Sequence, residues 1–68
     1  MKKRIIVTGG TEIDNSTKKG YKYVVKSYYQ KTVFGPRYTF KPNKYFNSII
    51  NAKLYAKLIQ KEINRMLK

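Results

Sequence analysis

Lys22, Lys26 and Tyr28 stand at even positions of one polar-aromatic stretch, and Arg37, Thr39 and Lys41 at odd positions of the next. In extended chain, residues two apart point to the same side. Each set therefore shares a face. Long cations interleaved with hydroxyls and a ring suit a polyanion. Ammonium groups meet phosphates, a guanidinium forks to a guanine edge, and Tyr or Thr meets a thymine methyl or a backbone oxygen. Hydrolytic or metal-assisted chemistry lacks its parts. The 68 residues hold no His, no Cys and only three carboxylates. The commonest general base, the commonest metal ligand and every thiolate are thus absent. The expectation is a binding protein that is not an enzyme, with no cofactor and no metal.

The charge balance points the same way. Sixteen Lys and Arg give a formal net charge of +13. Such a charge repels itself in a compact state and suits a chain whose partner is a polyanion. Duplex DNA is the first reading of that partner, with RNA or an acidic protein as alternatives. A membrane is not expected, because the longest apolar run is Ile5-Ile6-Val7, far short of the ~20 residues of a span. The opening Met1-Lys2-Lys3-Arg4 has the charge of a signal-peptide start but no apolar stretch of matching length behind it. The reading is a soluble, cytoplasmic chain, with residues 1–68 forming one small domain.

The elements that would position these residues follow from pattern. Arg4 to Thr8 reads as a β-branched strand, ended by Gly9-Gly10. Thr11 to Gly20 reads as a polar loop holding Glu12 and Asp14. Tyr21 to Gln30 is the clearest strand. Its core face would carry Tyr21, Tyr23, Val25, Ser27 and Tyr29, and its wet face Lys22, Val24, Lys26, Tyr28 and Gln30. Lys31 to Gly35, followed by Pro36, reads as a turn, and Arg37 to Lys41 as a third strand ended by Pro42-Asn43. A helix is expected from Asn47 or Ser48 to Lys68, with Tyr45 and Phe46 before it as staple residues rather than base-stacking platforms. Ile49, Ala52, Tyr55, Ala56, Ile59, Ile63, Met66 and Leu67 would form its apolar side, opposite Lys53, Lys57, Lys61, Asn64 and Lys68. Arg65 and Lys68 complement the helix dipole. Leu54 and Leu58 fall at a margin, where exposure would hint at a partner surface. Burial then demands an α+β fold: a three-stranded antiparallel sheet packed against one C-terminal α-helix. The uncovered sheet face displays Lys22, Lys26, Tyr28, Arg37, Thr39 and Lys41.

Two other basic surfaces remain. Lys53, Lys57 and Lys61 form a stripe that ordinary helix solvation explains, and Lys2, Lys3 and Arg4 read equally as an arm reaching phosphates or as a solubilising end. Most of the seven Tyr and three Phe are expected in the core, with Tyr28 the one aromatic assigned to the wet face. Val7-Thr8-Gly9-Gly10-Thr11 begins like a nucleotide-binding turn but lacks the third Gly, the following helix and the Lys of a phosphate loop.

The order Arg4-Ile5-Ile6-x-Thr8-Gly9, a polar loop, Gly20-Tyr21-Lys22-Tyr23, Phe34-Gly35-Pro36, Tyr38-x-Phe40-Lys41 and a helix with Ala52 and Ala56 resembles the N-terminal arm-binding, AP2-like domains of phage and conjugative-transposon tyrosine integrases. The resemblance covers Lys3 to about Arg65. It implies a sheet that reads the DNA major groove, here with Lys22, Lys26, Tyr28, Arg37, Thr39 and Lys41. Its departures are the long Gly9-to-Gly20 loop and the long Lys41-to-Asn47 stretch. No recombinase domain follows in these residues, so the expectation is DNA binding without cleavage, in integration, excision or regulation. A phage-encoded inhibitor of a host protein is a rival reading, consistent with small size and abundant Lys, Asn and Tyr, and would use Leu54 and Leu58. An RNA-binding, ribosome-associated protein is another.

Overall fold

The computed structural model describes residues 5–67. Lys2, Lys3 and Arg4 of the basic terminus, and Lys68 of the helix, lie outside them. The sheet is built around one central strand. Strand β1 (Thr8–Asn15) pairs antiparallel with β2 (Tyr23–Gln30) along its whole length, from Thr8 opposite Gln30 to Asn15 opposite Tyr23. The other edge of β2 takes two short strands end to end, β3 (Tyr38–Thr39) and β4 (Lys44–Phe46), both antiparallel. Helix α1 (Ile49–Met66) packs on one sheet face. The fold is the expected α+β arrangement of an antiparallel sheet and one C-terminal helix. Among the described residues no second element packs on the other sheet face.

The first strand corrects the sequence reading. It does not run from Arg4 to Thr8 and stop at the glycines; it runs through Gly9 and Gly10 to Asn15. Close packing on both sides of the sheet is the reason. A Cβ on Gly9 would stand 2.6 Å from Ile63 Cγ2 of the helix, and one on Gly10 would stand 2.9 Å from the Tyr28 hydroxyl on the far face. The largely polar stretch Thr11 to Asn15 forms strand because β2 supplies a full hydrogen-bonding edge, which overrides weak local propensity. The displaced Ile5-Ile6 segment does a different job. Both amides donate to the Met66 carbonyl, at 3.0 and 3.2 Å, and Ile6 bridges Leu67 in parallel. An orphan carbonyl at the helix end is thereby satisfied. The helix stops at Met66, and Leu67 is extended.

The third strand is split, not single. Three steps along β2, from Tyr28 to Val25, are matched by five along the facing chain, from Thr39 to Lys44, so two residues are inserted. The insertion surrounds Pro42, which has no N–H for a ladder. Ser27, buried on β2, covers the gap: its hydroxyl accepts from the Lys41 amide at 2.9 Å, and its carbonyl accepts from the Phe40 amide at 3.2 Å. The expected strand Arg37 to Lys41 thus shrinks to Tyr38–Thr39, and β4 occupies the stretch read as a long connection.

Two adjoining clusters make the core. Val25 meets Ala52 and Ala56, with Ile13, Tyr23 and Phe46 at the rim. Ile6 meets Ile59 and Ile63, with Tyr29, Phe40 and Met66 at the rim, and Tyr55 joins both clusters. Ser48 caps the helix, accepting from the Asn51 amide. Phe46 packs on Tyr55 at a centroid distance of 5.5 Å. Tyr23, Val25, Ser27 and Tyr29 face the helix as expected. Tyr21 does not: it precedes β2 and is exposed. Val24, read as wet, is buried opposite Tyr45. Ile49 is exposed, outside the apolar side assigned to it.

Candidate nucleic-acid interface

The open sheet face is organised around a stack of three residues. Tyr28 sits between Gly10 on one side and Thr39 on the other, in register with both. The missing side chain of Gly10 leaves a floor on which the Tyr28 ring lies. Over that ring, at 4.2 Å from its centroid, sits the Arg37 guanidinium carbon. A cation held over a ring is stabilised by about 0.5–2 kcal/mol and loses rotamer freedom before any ligand arrives. Arg37 is exposed and, among the described residues, has no ion pair or hydrogen bond. Its donor edge is therefore open to a ligand. Thr39 is exposed beside it.

The remaining assigned residues divide. Lys22 is exposed at the start of β2, its backbone amide shared between the Phe46 carbonyl and Asn47 Oδ1, both at 3.1 Å. Lys26 is already paired, Nζ to Asp14 Oδ2 at 3.3 Å, with both side chains half exposed. Such a pair is worth about 0–1 kcal/mol, but it draws the cation toward β1. Lys41 leaves the open face. Its backbone turns onto Ser27, and its ammonium lies 5.7 Å from the ring of Phe40, which packs on the helix-side core.

The placement of the acids matters more. Glu12 and Asp14, read as loop residues, are on β1 opposite Lys26 and Val24, so they share the open face. An anion meets a divided surface, basic over β2 and β3 and acidic over β1. A cluster absent from the sequence reading extends the basic half. Lys18 lies 4.8 Å from the Tyr45 ring centroid and 5.6 Å from that of Tyr21, and the two rings are 5.7 Å apart. Tyr45 is thus an open-face residue and not a helix staple. Its alternation with Lys44 and Phe46 was the available signal, hidden because β4 itself was not expected.

The β2–β3 turn adds an aromatic. The Gly35 amide donates to the Thr32 carbonyl at 3.2 Å and Gln30 Nε2 donates to the Gly35 carbonyl at 2.7 Å, fixing the corner. Phe34 stands at that corner 100% exposed, in the segment read as a turn.

Lys53, Lys57 and Lys61 are exposed on the opposite layer, as their helical spacing implies. Leu54 and Leu58 are 58% and 60% exposed, and Ile50, which the sequence reading passed over, is 67% exposed. Sheet face and helix face look in opposite directions. No described helix is long and apolar enough to cross a membrane. Comparison with protein-family models, curated proteins and solved structures finds no match to this chain.

Proposed function

We propose that this chain binds duplex DNA through the β2–β3 half of the open sheet face and performs no chemistry of its own. The observation that carries the reading is the Arg37 guanidinium seated on Tyr28 with its donor edge exposed. A preoriented fork of this kind suits the O6 and N7 acceptors of guanine in a major groove, which admits a narrow β-ribbon. Thr39 stands next to it for a methyl or a phosphate oxygen. Lys22 and Lys18, at the Tyr23 end of β2, serve phosphates. Glu12 and Asp14 repel phosphate on the β1 side, so the duplex lies off centre, toward β3 and β4. This arrangement agrees with the resemblance to AP2-like arm-binding domains, and the proposal extends to a role of that kind at a mobile-element or phage DNA site.

The test is a fluorescence-anisotropy titration against duplex DNA, single-stranded DNA and duplex RNA across a salt series. Preference for duplex DNA with a log–log salt slope of about −4 to −6 is expected. Equal or tighter binding to duplex RNA moves the function to RNA, where recognition rests on shape and the 2′-hydroxyl. Weak binding to all three at physiological salt removes nucleic acid as the partner.

A further inference from the structure

The outer face of α1 carries a feature that DNA binding leaves unused. Ile50, Leu54 and Leu58 stand four residues apart and well exposed, on a helix whose buried residues are Ala52, Ala56, Ile59 and Ile63. At about 100° per residue, Leu54 points almost directly away from that buried side. The three aliphatics form one i±4 ridge, about 12 Å long. Lys53, Lys57 and Lys61 form the parallel ridge beside it, with Arg65 continuing the line. A groove runs between the two ridges.

We infer that this groove docks an acidic amphipathic helix of a partner protein. A helix ridge of small or branched apolar residues fits between two i±4 ridges. Carboxylates flanking it would meet Lys53, Lys57, Lys61 and Arg65, none of which has an ion pair or ring contact among the described residues. Charge selects among occupants. A second copy of this chain carries +13 itself and is repelled. A membrane plane suits the face poorly. Around the helix, Lys61 projects between Ile50 and Leu54, and Arg65 between Leu54 and Leu58, so insertion of the aliphatics would carry cations with them. An acidic helix turns the same interleaving into complementarity. The inference does not rest on the DNA reading, since it concerns the opposite layer.

The experiment uses the full chain labelled with 15N. The probe is a peptide of about 16 residues with a leucine stripe flanked by glutamates, compared with its scrambled isomer. Saturable shifts at the amides of Ile50 to Arg65, and an affinity roughly tenfold above that of the scrambled peptide, are expected. Leu54→Ser should lower that affinity roughly tenfold while the thermal melt and the DNA titration stay unchanged. Equal binding of both peptides, shifts confined to the sheet, or indifference to Leu54→Ser overturns the inference. So does Leu54-dependent binding to phosphatidylglycerol vesicles, or Leu54-dependent dimerisation, without peptide binding. Loss of DNA binding alone affects only the proposed function.

Discussion

The two basic faces of this small fold hold their cations in different ways. On the sheet, Arg37 rests on Tyr28, Lys18 lies by Tyr45 and Lys26 is tied to Asp14. On the helix, Lys53, Lys57 and Lys61 stand among aliphatic side chains with no partner among the described residues. A seated cation has lost entropy in advance and presents one orientation; a free one contributes charge and little direction. Net charge alone therefore says little about where recognition resides. On the readings proposed above, the sheet would take a patterned ligand, and the helix one that brings its own apolar ridge and opposite charge.

That contrast can be tested in graded steps. The largest effect is expected from Ile63→Ala. This side chain is buried against Ile6 and Ile59 beneath Gly9, and truncation should cost about 2–5 kcal/mol of stability by chemical denaturation, abolishing both faces together. Next is Arg37→Ala, expected to weaken specific duplex binding by about 1–3 kcal/mol; an unchanged titration would remove the guanine-fork reading. Gly10→Ala should reproduce part of that loss with every charge retained, because the new methyl displaces the ring that supports Arg37. Tyr28→Leu should do the same, by about 0.5–2 kcal/mol. Asp14→Asn should act in the opposite direction, tightening DNA binding by about 0.5–1 kcal/mol as Lys26 is released and a negative charge leaves the face. The smallest effect is expected at the helix. Lys53→Ala should change DNA affinity by less than about 0.5 kcal/mol, and a loss larger than that of Arg37→Ala would reverse the assignment of faces.

The legible parts of this molecule are those where local pattern and tertiary burial agree. β2 alternates, Ser48 caps, and α1 has one broad apolar side, so the α+β arrangement and most of the core face of β2 were readable. The misread parts depend on a neighbour. Gly9 and Gly10 look like a strand stop, yet they are glycine because Ile63 and Tyr28 press on the two sides of β1. Glu12 and Asp14 look like loop acids, yet β2 draws them into the sheet and so onto the candidate site. Ile5-Ile6 has strand chemistry but closes the helix end. β4 was invisible because Pro42 breaks the pattern before it. For the candidate face, parity grouped Tyr28, Arg37 and Thr39, which the structure brings side by side. It could not show that Lys26 is paired, that Lys41 departs with the bulge, or that Lys18 joins Tyr45.

The insertion around Pro42 also bears on self-association. A sheet edge with an unbroken row of free amides and carbonyls invites another edge to pair with it, and an aromatic-rich chain is exposed to that risk. Here the outer edge past β2 offers two residues, an irregular step containing a proline, then three more. No incoming strand can follow it in register across the gap. The break that makes the third strand hard to find thus guards this edge against amyloid-like extension.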